Sequence, residues 1–243
     1  MRPAAFSMLF LGLLLCGCAS TAGRHTDPRD PFERFNRASF AVNDRLDRAI
    51  ARPVARGYVR VVPRVARTGV SNFFSNLKQP VVFLSDLLQG KPRPAAHDLG
   101  RFLLNSTLGF GGLLDPATDA GLDRNDEDFG QTLGRWGVHA GPYLVIPVFG
   151  PRTLRDGFGD LVDQLADPVY YIEEDKVRWS LRGVKLLDQR ARLLGTEQIL
   201  NRAFDRYAFV RNAYLQRRAY LIRDGASDEG SSDDLETPDE PAD

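Results

Sequence analysis

Residues 30–53 read DPFERFNRASFAVNDRLDRAIARP, and this stretch sets the fold class. Asp30-Pro31 opens a helix, because proline's fixed φ and missing N–H suit a first turn. Phe32, Phe35, Val42, Leu46 and Ile50 then recur at helical spacing on one face. Pro53 is expected to close that helix. Working outward, further helices are predicted over 54–62, 64–77, 80–89, 94–107, 152–165, 176–194, 196–203 and 204–222. Strand signals are few, since no hairpin dipeptide sits between alternating runs. Leu144-Val145-Ile146-Pro147-Val148-Phe149 is the best strand-like segment, and Pro147 weakens it. The reading is all-α, with glycine dense and regular helix interrupted between about 108 and 151.

Two stretches, Phe102 to Leu114 and Trp136 to Pro151, carry no Asp, Glu, Lys or Arg, and neither suits a single membrane span. A tightly packed core is one reading and composition favours it. The other is a segment lying in one leaflet, its irregular backbone shielded by protein or lining a cavity. The helix at 176–194 is apolar on two sides. Val177, Leu181, Val184, Leu187, Ala191 and Leu194 form one face; Trp179, Leu186 and Leu193 form the other. Such a helix is buried between layers or touches lipid. Arg178, Arg182, Lys185 and Arg192 lie on an arc between the faces. That arc is a solvated face or a cationic strip toward phosphate headgroups.

The N-terminus points to export. Arg2 precedes an apolar run from Met8 to Leu15, shorter than the roughly 20 residues a spanning helix needs. The run ends in Leu15-Cys16-Gly17-Cys18, which resembles a bacterial lipobox. Residues 1–17 then form a signal peptide and Cys18 is the lipidated residue. The alternative is an ordinary signal with incidental cysteines. No cysteine follows Cys18, so the mature chain has no internal disulfide and no thiol nucleophile. Three acyl chains on such a cysteine would hold the protein on a bilayer, where one alone is marginal. Ala19 in place of Asp suggests outer-membrane sorting. Residues 18–30 are read as anchor and tether, 31–223 as one helical domain, and the acidic stretch 224–243 as disordered. Over residues 18–223 Lys and Arg exceed Asp and Glu by eight. A basic body suits an anionic partner such as a membrane surface; the export signal argues against nucleic acid.

Signatures of catalysis are missing from the sequence. His25, His97 and His139 lie far apart, with no metal-spaced pair. There is no Gly-x-Ser-x-Gly elbow and no phosphate loop. Gly109-Phe110-Gly111-Gly112 lacks the third glycine of a dinucleotide fingerprint, since Leu114 stands there. Asp123, Asn125 and Glu127 imitate the first ligands of an EF-hand, but Asp128 replaces the required glycine and Gly134 the closing glutamate. No enzyme, cofactor or metal is expected.

Asp30-Pro31-Phe32-Glu33-Arg34-Phe35-Asn36-Arg37, with Phe40 and Asn43, resembles the opening motif of the MlaA (VacJ) lipoprotein family. The likeness continues through Asn72-Phe73-Phe74-Ser75-Asn76-Leu77, Leu87-Leu88-Gln89-Gly90, and Arg101 to Gly109. It runs on through Gly111-Gly112-Leu113-Leu114-Asp115, Glu127 to Gly134, Trp136-Gly137-Val138, Gly141-Pro142-Tyr143, Gly150-Pro151 and Leu154-Arg155-Asp156. Arg152 stands where many members have Ser, and the acidic tail is an addition.

The resemblance implies a ring-shaped helical domain, a doughnut embedded in the inner leaflet of the outer membrane with a central hydrophilic channel. It implies a lipoprotein on the periplasmic face that clears mislocalised phospholipids from the outer leaflet. The lipids pass to the periplasmic carrier MlaC, and members associate with trimeric outer-membrane porins. On that expectation Asn36, Phe40 and Asn43 are candidates for the channel wall, capping or packing being the alternative. Arg178 and Lys185 are candidates to face headgroups. Gly134, Gly137 and Gly141 are candidates for a flexible loop at the channel mouth, or simply tight turns. Two rivals stay open: a porin-bound lipoprotein without transport, and a phospholipase.

Overall fold

The computed structural model describes residues 27–225. The signal segment, Cys18, most of the tether and residues 226–243 of the acidic tail lie outside the described residues.

Helix α1 spans Glu33–Leu46, with Glu33 in its first turn favouring the positive end of the helix. The chain does not stop at Pro53. One wide turn over Asp47–Ala51, in which the Arg52 N–H reaches the Asp47 carbonyl, leads into α2, Arg52–Val61. This five-residue spacing breaks the four-residue ladder just where Pro53 lacks a donor, so the proline rides in a new first turn. Val62 is extended and Pro63 starts the next segment. Helix α3 runs unbroken through Arg64–Leu88, where two helices were expected. Pro80 sits inside it, and packing of Val81, Val82, Ser85 and Asp86 against its neighbour holds the turn.

That neighbour is α4, Pro92–Thr107, which begins with Pro92 in its first turn. Phe110, Gly111 and Gly112 all have positive φ. A Cβ on Gly112 would overlap the Asn76 side chain, so glycine is required there. Two short helices follow: α5, Pro116–Asp119, and α6, Phe129–Arg135, the latter capped by Asp128 accepting from Gln131 N–H at 2.8 Å.

The strand-like segment is a strand. β1, Tyr143–Ile146, stops before Pro147 and pairs antiparallel with β2, Gly150–Thr153, Tyr143 opposite Thr153 and Ile146 opposite Gly150. The hairpin was missed because its turn carries no glycine-asparagine signal: Val148 itself takes the positive φ. Helix α7, Leu154–Ala166, is capped by Thr153; α8 is Asp175–Arg192, α9 Glu197–Arg202 and α10 Arg206–Ile222. Among the described residues the fold is thus helical with one small hairpin. Its apolar core is slight: Tyr143, Val145 and Tyr207, with Phe40, Tyr214 and Leu215 packed on them.

Candidate functional site

The packing is inverted relative to a soluble domain. Among the described residues, polar and charged side chains outnumber apolar ones at buried positions. The apolar face of α1 points outward, with Phe32, Phe35, Val42, Leu46 and Ile50 exposed, while Asn36 and Ser39 are buried. The packed-core reading of the two uncharged stretches holds for Tyr143 and Val145 and fails for most of their other apolar residues. Phe110 is 75%, Val148 73% and Phe149 74% exposed, and Leu103, Leu108, Leu113, Leu114, Trp136 and Val138 are exposed with them. Trp179, Leu186 and Leu193 on the second face of α8 are exposed too. Exposed apolar area on this scale marks a surface that another phase covers. Among the described residues no helix is long and apolar enough to cross a membrane.

The interior is held by charge-assisted hydrogen bonds. Arg101, only 1% exposed, donates to Asp115 Oδ1 at 2.8 Å and to Thr118 Oγ1 at 3.1 Å, and Asn105 joins it on Asp115. Arg218 on α10 forks onto Asp128 at 2.6 and 2.9 Å and reaches Asp156 at 2.9 Å, tying α10 to α6 and α7. Burial pushes Asp128 up, but Arg218 outweighs it and holds the carboxyl down at about 2. Asp30 takes Asn36, Tyr207 and Arg211. Asp86 and Asp98 meet between α3 and α4, both fully buried. Burial, then each other's proximity, pushes Asp86 up to about 7, and burial likewise raises Asp98. Asn125 donates to Asp86 at 2.8 Å. Burial and proximity together oppose ionisation of both carboxyls at once.

The candidate residues on α1 turn out to clamp the hairpin. Asn36 is completely buried; its amide donates to Asp30 Oδ1 at 2.7 Å and Tyr143 O at 2.9 Å and accepts from Val145 N–H at 2.8 Å. It therefore presents no surface to a channel and falls to the packing alternative. Two turns further along the same face, Asn43 donates to Ile146 O at 3.1 Å and accepts from Val148 N–H at 2.7 Å. Seven residues apart, the two amides act as a surrogate neighbouring strand for β1. Phe40 sits between them, edge-on to Tyr207 at 5.9 Å.

Arg178 and Lys185 are half-buried and fasten α8 to the preceding turn. Arg178 donates to Ile172 O at 2.8 Å and pairs with Asp175; Lys185 reaches Asp167 at 3.4 Å. The three glycines differ. Gly134 is inside α6, where a Cβ would press on Ile222 and Arg155. Gly137 has φ 88° and closes the helix: its N–H reaches Gly134 O at 3.0 Å and Val138 N–H reaches Leu133 O at 2.9 Å. Gly141, φ 69°, turns the chain beside Leu154. These are a packing contact and two fixed turns.

Two cavities open among the helices, and sequence reasoning found neither. One, of about 290 Å³, lies between α2, α3 and α8 and is bordered by Arg64, Arg67, Arg124 and Arg192 with Tyr58 and Asp188. The other, of about 240 Å³, lies between α1 and the end of α8, where Arg52, Arg190 and Arg206 face Asp44, Asp47 and Glu197 around Phe40, Leu193 and Leu200. Their residues come together from four or more segments, which no local spacing reveals.

The family model of the MlaA lipoprotein matches residues 28–221. The chain is 39% identical to the intermembrane phospholipid transport system lipoprotein MlaA of Escherichia coli (strain K12), over 90% of this chain and 89% of that protein. It is 33% identical to the protein of the same description from Haemophilus influenzae, over 93% and 94%. A solved structure from work on the structural basis for maintenance of bacterial outer membrane lipid asymmetry superposes with a TM-score of 0.73 at 40% identity, covering 79% of this chain and 98% of that one.

Proposed function

The chain belongs to the MlaA lipoprotein family, and we propose that it removes mislocalised phospholipids from the outer leaflet of the outer membrane and passes them to a periplasmic carrier of the MlaC kind. It does so from the periplasmic side, anchored through acylated Cys18 and seated in the inner leaflet beside a trimeric porin. It keeps the membrane lipid-asymmetric and catalyses no reaction. The observation that carries this reading is the inversion of the fold. An apolar exterior without a spanning helix suits immersion in one leaflet, and a polar interior suits a water-lined path for headgroups. Helices arranged as a ring around such a path let the headgroup pass while the acyl chains stay in an apolar phase.

The test is outer-leaflet phospholipid in a strain lacking the gene, with wild type or Cys18→Ala restored. Accumulation on deletion that wild type reverses and Cys18→Ala does not is the expected outcome. No accumulation on deletion sinks the reading. Released fatty acid on mixing purified protein with labelled phospholipid would replace it with a phospholipase.

A further inference from the structure

We propose that the cavity between α2, α3 and α8 seats an anionic phosphodiester headgroup on Arg64, Arg67 and Arg192. The inference rests on the phospholipid-transport reading and gives that substrate a contact point on the protein.

The two cavities differ in charge balance. In the smaller one every arginine is spent. Arg190 binds Asp47 and Glu197, Arg52 binds the same two carboxylates, and Arg206 binds Asp44. In the larger one Asp188 is the single lining carboxylate against four guanidinium groups. Arg124 is held outside the balance by Asp115 and Asn72. Among the described residues Arg64 has no hydrogen-bond or ion-pair partner. Arg67 is oriented through Nε by Val62 O at 3.1 Å, which leaves its two terminal nitrogens without acceptors. Arg192 is oriented by Ser71 Oγ at 2.7 Å and more loosely by Asp188 at 3.5 Å. Guanidinium groups positioned by one edge and free on the other match the paired oxygens of a phosphodiester.

Other features of the cavity agree. The Tyr58 hydroxyl lines it, buried, near Asp188 but in no well-formed hydrogen bond, and a phosphate oxygen would offer it an acceptor. Asp188 opposes an anion, but it is almost fully buried beside Arg67, Arg192 and Tyr58, and burial raises its proton affinity. Val61 and Val65, the neighbours of Arg64 across the α2–α3 junction, are 78% and 83% exposed. Cations thus sit at an apolar rim, the order in which a lipid presents phosphate and acyl chain. The volume is at the small end for a ligand pocket, enough for a headgroup and not for a whole lipid.

The experiment titrates the full-length acylated protein, in a detergent free of phosphate, with dioleoylphosphatidylglycerol, with dioleoylglycerol and with inorganic phosphate. Wild type, the double variant Arg67→Gln/Arg192→Gln, Arg67→Lys and Arg64→Gln are compared by native mass spectrometry. Losing charge-assisted bonds should weaken phosphatidylglycerol binding by about 10–100-fold in the double variant. Arg67→Lys should recover part of the loss, and dioleoylglycerol, lacking phosphate, should bind all forms alike. If the double variant fails to fold, Arg64→Gln, at an exposed and unpaired position, must still weaken binding. Equal phosphatidylglycerol affinity in wild type and folded variants overturns the site while leaving the transport reading intact. A wild type that binds no phospholipid overturns that reading first. Inorganic phosphate that binds as tightly as the lipid and is not displaced by it makes this a free-phosphate site and overturns the headgroup assignment.

Discussion

Replacing Asn36 with alanine should be far more damaging than replacing Asn43, although both clamp the same strand. Asn36→Ala removes three hydrogen bonds of 2.7–2.9 Å from a position with no solvent exposure. It leaves Asp30 Oδ1, Tyr143 O and Val145 N–H to find new partners. Each buried group left unpaired costs about 1–3 kcal/mol, so the sum is roughly 3–6 kcal/mol if water enters part of the space. That is a large share of the ~5–15 kcal/mol typical of a domain. Asn43→Ala removes two solvent-reachable bonds at a half-buried position, where water replaces the amide, and should cost about 1 kcal/mol. For a domain near 200 residues these correspond to falls in Tm of roughly 6–24 °C and 2–4 °C. Circular dichroism melting of both variants in one detergent reads the difference. Hydrogen exchange separates local from global effects: Asn43→Ala should speed exchange at the Val148 amide alone, Asn36→Ala across the hairpin and α10. Equal Tm shifts, or an Asn36→Ala shift under 3 °C, would refute the clamp.

Arg218→Met should cost about 3 kcal/mol, because it removes the cation from half-buried Asp128, which keeps only Gln131, and one of the two arginines on buried Asp156. Asp128 is depressed when folded, so its contribution is full above the unfolded value near 4 and lost as pH falls toward 2. The gap between wild type and variant should therefore narrow in acid; a constant gap counts against the ion pair. Asp86 has the opposite sign. Its folded value near 7 exceeds the unfolded one, so wild-type stability should fall as pH rises from about 4 to 7. Asp98→Asn should shrink that limb in chemical unfolding measured from pH 4 to 8, and an unchanged limb would refute the coupling of the two carboxyls. Phe149→Asp, on the apolar surface, should weaken vesicle co-flotation of the unacylated Cys18→Ala protein by about 10–100-fold; undiminished flotation would mean Phe149 does not enter the bilayer.

Much of the helical order was legible because period and proline placement act locally. The boundaries that failed did so where tertiary contacts override a proline. Pro53 is absorbed by the wide turn before it, and Pro80 by packing between α3 and α4. For the candidate site, Asn36 and Asn43 lie seven residues apart, a spacing that puts both on one helix face. Their partner strand lies more than a hundred residues away, so the clamp itself could not be read. A separation of 90 residues likewise hides Asp128–Arg218, and a longer one hides the meeting of Arg67 with Arg192 around a cavity.

The inversion was hidden for a different reason: periodicity reports that a helix has two faces and not which one is buried. With 43% hydrophobic and 26% charged residues the composition matches a soluble domain. Turning every helix about its axis changes neither number. The sign was nevertheless written in the polar faces. Asn36, Ser39 and Asn43 on α1, Asn76, Gln79 and Asp86 on α3, and Asp98, Arg101 and Asn105 on α4 themselves recur at helical spacing. They are short amides, hydroxyls and carboxyls with one arginine and no lysine, whereas a solvated face favours long charged chains that stay mobile. Short groups with fixed geometry gain nothing in water and are what a buried hydrogen-bond network needs. A helical stripe of such residues opposite an apolar one therefore identifies the inward face, and it leaves the apolar stripe to meet lipid.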